Sequence, residues 1–339
     1  MKSFFSLTLD SLEKELLANN YKAYNASQIF DWVYRKNCLD FNLMTNLKKE
    51  LREYLVDNYS LSLPKIVIRQ EAKDKTIKYL FELEDSKKVE GVLMRQSYGN
   101  SVCVSSEVGC NMGCSFCASG LKKKTRNLLS EEMTMMVYAI GLDTKERVSS
   151  VVIMGTGEPL DNLEEVLKFI RTINSKIGLE IGIRHITLST CGIVPKIYEL
   201  SEENLGINLA ISLHAPTNEL RSKLMPINKV YPIEELIESV KYYFEKTKRR
   251  ITFEYLMLDG VNDSYECGIA LSNLIKGLNA YVNLIPYNHV DEFSYKKSKE
   301  SNVSKFYDTL KKCGINVTLR KKLGDDIDAA CGQLRSKVK

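Results

Sequence analysis

The chain has 339 residues, 44% of them hydrophobic and 27% charged, a globular composition that excludes a disordered, collagen-like or coiled-coil protein. Lys and Arg outnumber Asp and Glu by only 48 to 43, so charge alone names no partner. No run approaches the roughly 18 apolar residues of a membrane helix, and Asp10, Glu13 and Glu15 interrupt the N-terminus before a signal-peptide core forms. A cytoplasmic protein without membrane contact is expected, of roughly two domains at about 150 residues each.

In chain order, apolar residues recur at helical spacing from Phe4 to about Tyr59, in three groups: Leu12, Leu16, Leu17; Ile29, Phe30, Val33, Tyr34; Leu47, Leu51, Leu55. Three short helices follow from this spacing. Alternation at 65–69 and 76–83 predicts a small antiparallel sheet, which places a domain boundary near residue 95. Beyond it, short β-rich runs at 102–105, 150–154, 185–189, 208–213, 251–256, 281–285 and 316–319 alternate with amphipathic stretches such as 131–139, 163–174, 233–245, 266–276 and 303–312. Repeated strand-helix units force a parallel sheet, because a parallel neighbour needs a long crossover. Six or more such units curl into a full or partial barrel, with reactive groups on the loops that leave the strands. The expected domains are therefore a helical module with a sheet linker at 1–95, a barrel at 96–320, and a C-terminal loop at 321–339.

Nine cysteines without a secretion signal are expected as reduced thiols. Three of them, Cys110, Cys114 and Cys117, form a C-x3-C-x2-C loop just after the first barrel strand. Thiolates at this spacing can hold a [4Fe–4S] cluster and leave one iron open for a ligand. Structural zinc prefers four closed ligands, and none of the three histidines, His185, His214 and His289, is nearby in sequence. Gly155-Thr156-Gly157-Glu158-Pro159-Leu160 follows the next strand, a glycine turn that permits close backbone approach. Three basic runs, at 122–126, 246–250 and 320–322, can serve either as solvated surface or as a path for phosphates.

The triplet is the hallmark of the radical S-adenosylmethionine (SAM) enzymes, which the chain resembles. Further segments narrow the resemblance to the RlmN/Cfr family of RNA adenine methyltransferases. They are Cys103-Val104-Ser105-Ser106, Arg126-Asn127-Leu128, Ser189-Thr190, Ile211 to Ala215, Arg221 with Met225 to Asn228, Asn283 to Pro286, and Asp325 to Leu334. The resemblance implies a partial (β/α)6 radical SAM barrel with an N-terminal helical accessory domain. It also implies cluster ligation by Cys110, Cys114 and Cys117, and SAM contacts at Gly157, Glu158, Ser189, Ser212, Leu213, His214 and Asn288. Three positions depart from the family pattern: Thr156 stands where Met is usual, Glu107 where Gln is common, and Cys191 where Ser or Ala is ordinary.

The implied activity is methylation of adenine carbon 2 in 23S rRNA and tRNA, with two SAM used per turnover and an electron donor such as a flavodoxin or ferredoxin system. Cys331 is methylated by one SAM, loses a hydrogen atom to the radical obtained from a second, and adds to the adenine through the resulting methylene. Glu90 accepts the ring proton; Cys103 then attacks the sulfur of Cys331, releasing the RNA and leaving a disulfide to be reduced. A Cfr-type C8 methyltransferase is the nearest alternative, and a radical SAM activating enzyme a more distant one. The helical module is expected to dock RNA through Tyr21, Lys22, Tyr24, Trp32, Tyr34, Arg35 and Lys36, with core packing as the competing role for its aromatic residues. A monomer is expected.

Overall fold

The computed structural model of the chain describes residues 1–334, so the last five residues of the expected C-terminal loop lie outside the described residues. The N-terminal module contains α1 (Leu9–Ala18), α2 (Tyr24–Phe30) and α3 (Lys49–Asn58), framed by the parallel pair β1 (Lys2–Ser3) and β2 (Tyr59–Ser60). Thr8 starts α1 through a reciprocal capping box, its Oγ1 accepting from the Ser11 N–H while Ser11 Oγ accepts from its own N–H. The module's core is aromatic, with Phe4, Phe5, Phe30, Tyr34 and Phe41 packed together. Tyr34 is thus a core residue and no stacking platform, and Arg35 is taken by Glu180 at 2.6 Å. Lys36 sits over the Trp32 ring at 3.9 Å, whereas Lys22 and Tyr24 remain exposed.

Four strands then run antiparallel in sequence: β3 (Lys65–Glu71), β4 (Ile77–Glu82), β5 (Lys88–Gln96) and β6 (Gly99–Val104). The small pair β7 (Glu107–Val108) and β8 (Arg126–Asn127) brackets the cysteine loop. From there the chain alternates: α4 (Ser130–Thr144), β9 (Val148–Ile153), α5 (Leu163–Asn174), β10 (Ile186–Thr190), α6 (Val194–Glu202), β11 (Asn208–Ser212), α7 (Asn218–Leu224) and α8 (Ile233–Thr247). It continues through β12 (Ile251–Met257), α9 (Tyr265–Leu274), β13 (Ala280–Pro286), α10 (Glu300–Lys312) and β14 (Asn316–Leu319). One ten-stranded sheet results, in the order β14-β13-β12-β11-β10-β9-β6-β5-β4-β3, parallel from β6 to β14. This is the mostly parallel α/β architecture expected from the strand-helix alternation.

The apolar core of the N-terminal module ends at Leu61, and β4 and β5 share the barrel's core instead. Strand β5 was not legible from alternation, because Glu90 and Gly91 interrupt its apolar run. The fold accommodates both. Glu90 is ion-paired, and a Cβ at residue 91 would press on Met136 and Ile140 of α4 at 3.3 and 3.4 Å.

Beyond β14 the chain returns across the barrel mouth toward β4. Gly324 N–H donates to Asp74 at 2.9 Å, Lys73 N–H donates to Asp326 at 3.2 Å, and Lys78 Nζ donates to the Asp328 carbonyl at 3.1 Å. Gly324 has φ of 66°, and a Cβ there would lie 2.7 Å from that of Ala329, so the turn requires glycine. Ala329 and Leu334 then pack on Val92, Met94 and Cys103.

Candidate active site

Cys110, Cys114 and Cys117 lie on the loop between β7 and β8. The loop is held at both flanks, by Cys110 N–H donating to the Lys122 carbonyl and Ser115 N–H donating to the Leu224 carbonyl, each at 2.9 Å. All three residues line one cavity of about 930 Å³. Burial pushes Cys110 up to about 12 and raises Cys114 and Cys117 as well, with the neighbouring thiols adding to the rise. Among the described residues no three His, Cys, Asp or Glu side chains gather as ligands of a single ion. Three thiols spread around one cavity fit a cubane instead, which takes them on separate irons, and its positive charge would favour the thiolates that burial alone disfavours.

The opposite walls come from the ends of the parallel strands. Gly157, with φ of 112°, approaches so closely that a Cβ would stand 2.6 Å from the side chain of Glu107. Glu158 is buried, and its carboxylate accepts from Leu160 N–H at 3.0 Å, Thr190 Oγ1 at 2.6 Å and Cys191 N–H at 2.7 Å. A carboxylate has about four acceptor positions, and the Cys191 thiol is a further hydrogen-bond partner of this one. Ser189 and Ser212 line the cavity with their hydroxyls 3.5 Å apart.

His214 lies past the end of β11, not within the strand, at φ of 58°. Its Nδ1 accepts from Leu256 N–H at 3.1 Å, which leaves the proton on Nε2. Burial and the neighbouring Arg221 push its pKa down to about 3. The Leu213 side chain belongs to the barrel core, outside the lining of the cavity, and its N–H and C=O serve Glu254 and Arg221. Arg221 is fully buried and clamps the strand ends by donating to the carbonyls of Cys191, Ser212 and Leu213 and to Asn228 Oδ1.

Cys103, on β6 opposite Val92, lines a second cavity together with Cys331. Burial pushes Cys103 up to about 12, with the Cys331 thiol as the next cause. Met154, Ile285, Arg320 and Cys331 line both cavities and form the seam between them. The segment carrying Cys331 is pinned at the seam. Ala118 N–H donates to Gly332 at 2.8 Å, Ser119 Oγ donates to Leu334 at 2.9 Å, and Gln333 Nε2 donates to His289 at 2.9 Å. Asn288 stands at the same segment. It lines the thiol cavity and not the larger one, donating through Nδ2 to the Cys331 carbonyl at 3.2 Å while its buried Oδ1 has no partner among the described residues.

Glu90 is no exposed carboxylate. It is buried on β5, ion-paired to Lys78 at 2.7 Å, and lines a third cavity with Lys122 and Lys123. Burial raises its pKa, opposed by Lys78. Two of the unusual positions find a local explanation. Glu107 is buried, pairs with Lys124 at 2.7 Å and accepts from Glu158 N–H at 3.1 Å. Thr156 accepts at its carbonyl from Ser106 and Glu107 N–H, and its own hydroxyl lies 3.5 Å from that of Ser119, which is tied to Leu334. The Cys191 thiol remains without an assigned part; burial beside Glu158 raises its pKa well above the ordinary value. Sequence reading missed Glu254, a buried acid held by Asn283 at 3.0 Å, and Arg320 as cavity residues. A lone acid in the apolar run of β12 was the available signal for the first.

Comparison with known proteins agrees with this geometry. The Radical SAM superfamily profile matches residues 104–267, and that of the ribosomal RNA large subunit methyltransferase N-terminal domain matches residues 3–61. The chain is 53% identical to a probable dual-specificity RNA methyltransferase RlmN of Spiroplasma citri, over 99% of this chain and 98% of the relative. It is 54% identical to that of Geobacillus kaustophilus (strain HTA426), over 99% and 93%. A crystal structure of a radical SAM methyltransferase from Sphaerobacter thermophilus superposes with a TM-score of 0.93 at 41% identity, covering 99% of both chains. With a cysteine triplet facing a strand-end cavity, and Cys331 at the seam between that cavity and the one lined by Cys103, the chain belongs to the RlmN-type radical SAM methyltransferases.

Proposed function

We propose that the protein methylates carbon 2 of an adenine in 23S rRNA and in tRNA, through a methyl group carried on Cys331. The observation that supports this most is the place of Cys331 at the seam, on the wall of the triplet's cavity and on that of Cys103 at once. Relatives about half identical over their full length are named dual-specificity RNA methyltransferases, which favours two RNA classes. Bound at Cys110, Cys114, Cys117 and the walls formed by Gly157, Glu158, Ser189, Ser212 and His214, a [4Fe–4S] cluster and SAM supply the methyl group and the one-electron chemistry.

Carbon 2 is electron-poor, so the methyl must first be made reactive on the protein. Cys331 exchanges its thiol proton for the methyl, then gives up one hydrogen atom and bonds to the ring through the methylene. The radical adduct gives up one electron, which would return to the cluster, and Glu90 takes the ring proton. The Cys103 sulfur bonds to that of Cys331, the carbon–sulfur bond to the product breaks with its electron pair going to the product carbon, that carbon takes up a proton to become the methyl, and two electrons and two protons later return both thiols. Two SAM are used per turnover. A reducing cytoplasm suits this recycling, a flavodoxin or ferredoxin system suits the electron supply, and the 1–95 module, with Lys22 and Tyr24 exposed, suits RNA docking by a monomer. An activating enzyme would need no second pair of thiols, and a C8 methyltransferase would yield a different nucleoside.

The test is a Cys103→Ala variant of the reconstituted enzyme. It should methylate Cys331 and bond to RNA without releasing it, so that a covalent protein–RNA species survives denaturation. That species should vanish in the Cys103→Ala, Cys331→Ala double variant. Full turnover by Cys103→Ala overturns the reading, and mass spectrometry of digested RNA decides between carbon 2 and carbon 8.

A further inference from the structure

The three basic runs meet different fates in the fold. In the first, Lys124 is tied to Glu107 and Asp161, and Arg126 to Asp85 and Glu132, all within 2.8 Å. In the second, Lys246 pairs with Glu202, Arg249 donates to Asn208, and Arg250 stacks on the Tyr281 ring at 4.9 Å. Much of their charge is engaged inside the protein.

The third run, Arg320, Lys321 and Lys322, is set apart by its position. All three lie in the wall of the cavity that holds Cys103 and Cys331, and no carboxylate is among its described lining residues. Neither Arg320 nor Lys321 forms an ion pair among the described residues. Their acidic neighbours, Glu254 and Asp74, act from outside this cavity. The run is fixed in place because Arg320 N–H donates to the Leu284 carbonyl at 2.8 Å, continuing the β13–β14 pairing. The other walls are apolar at Val92, Met94, Met154, Ile285 and Leu323, with Asn288 as the polar exception. The cavity thus divides into an apolar interior, two thiols, and a cationic side.

We propose that Arg320, Lys321 and Lys322 form the phosphate subsite for the nucleotide whose base reaches Cys331; this rests on the RNA reading above. A base brought to bonding distance of a sulfur is taken out of its stack and carries a phosphate on either side. Its faces suit the apolar walls, whereas its phosphates need cations beside the opening. Phosphate contacts carry no sequence information, so one subsite serves unrelated RNAs equally.

The test uses the reconstituted holoenzyme with a Lys321→Ala, Lys322→Ala double variant and an unmodified tRNA transcript as probe. RNA affinity should fall roughly tenfold, and the slope of log Kd against log salt should drop by about 0.7–0.9 for each phosphate that is no longer neutralised. Replacing both lysines by Arg should restore affinity. Removing equal charge from the exposed end of α10, with Lys311→Ala, Lys312→Ala, should change neither quantity. Methylation of Cys331 without RNA, read by peptide mass, should match the wild type. An unchanged slope overturns the subsite, as does an equal loss in the α10 control. Failure of Cys331 methylation also overturns it, because the run would then serve the thiol chemistry. If the wild-type enzyme itself binds tRNA without salt dependence, it is the RNA reading that falls.

Discussion

Replacing Lys78 by Met tests how the buried Lys78–Glu90 pair between β4 and β5 is held. Lys78 and Glu90 meet at 2.7 Å with side chains 10% and 4% exposed, on neighbouring strands β4 and β5. Lys78→Met leaves a buried carboxylate without its partner, which costs about 3–5 kcal/mol, and lowers the melting temperature by roughly 6–10 °C in a domain of this size. It also removes the donor to Asp328 that anchors the C-terminal segment. The Lys78→Met, Glu90→Met double variant buries no charge and loses only that hydrogen bond, about 0.5–1.5 kcal/mol. The double variant should therefore be more stable than the single one. The pH dependence has a definite sign. Glu90 has a folded-state pKa raised above the ordinary 4.5, so the folded protein holds its proton more tightly than the unfolded chain does. Stability from this group is lost as pH rises from 4.5 through the folded value. Without Lys78 the rise is larger, so the penalty of Lys78→Met should be greatest at mildly alkaline pH and shrink toward acid. Urea unfolding followed by circular dichroism at several pH values measures it. A single-variant loss below about 1 kcal/mol, the worth of an exposed pair, would refute the argument, as would a double variant that costs more than the single.

Three further outcomes are expected. Replacing any of Cys110, Cys114 or Cys117 by Ala should abolish the broad visible absorbance of the reconstituted protein together with SAM cleavage, and retention of both would remove the basis for the cluster site. Gly157→Ala must place a Cβ 2.6 Å from Glu107 at a φ of 112°; at ~1–3 kcal/mol of strain, SAM affinity by equilibrium dialysis should fall about tenfold or more while the absorbance persists. His214, held neutral with its pKa near 3, stabilises the fold in its neutral form, a contribution lost only as pH falls from 6.5 toward 3. An NMR titration of its imidazole should accordingly show no step near 6.5, and a normal step there would contradict the burial argument.

What the amino-acid sequence determined by itself was the chemistry written into short spacings. Cys110, Cys114 and Cys117 span one loop, so no tertiary information is needed to see that they can share a cluster. The alternation of strand and helix from residue 102 onward implies a parallel sheet, because the crossover is a local constraint. Tertiary structure decided everything that depends on what stands opposite. Strand β5 was hidden because Glu90 and Gly91 look wrong for a buried strand until Lys78 and α4 are set against them. Leu213 and Asn288 read as neighbours of one cavity, yet one faces the core and the other the Cys331 carbonyl. Three basic runs look alike as sequence, and only their partners show that Lys124 and Arg126 are engaged while Arg320 lines the seam. The meeting of Cys103 with Cys331 is the largest such case. It exists because the chain beyond β14 crosses the barrel mouth, held by Asp74, Lys78 and Ala118. Periodicity reports how a residue sits on its own element; it carries no record of which distant segment will pack against it.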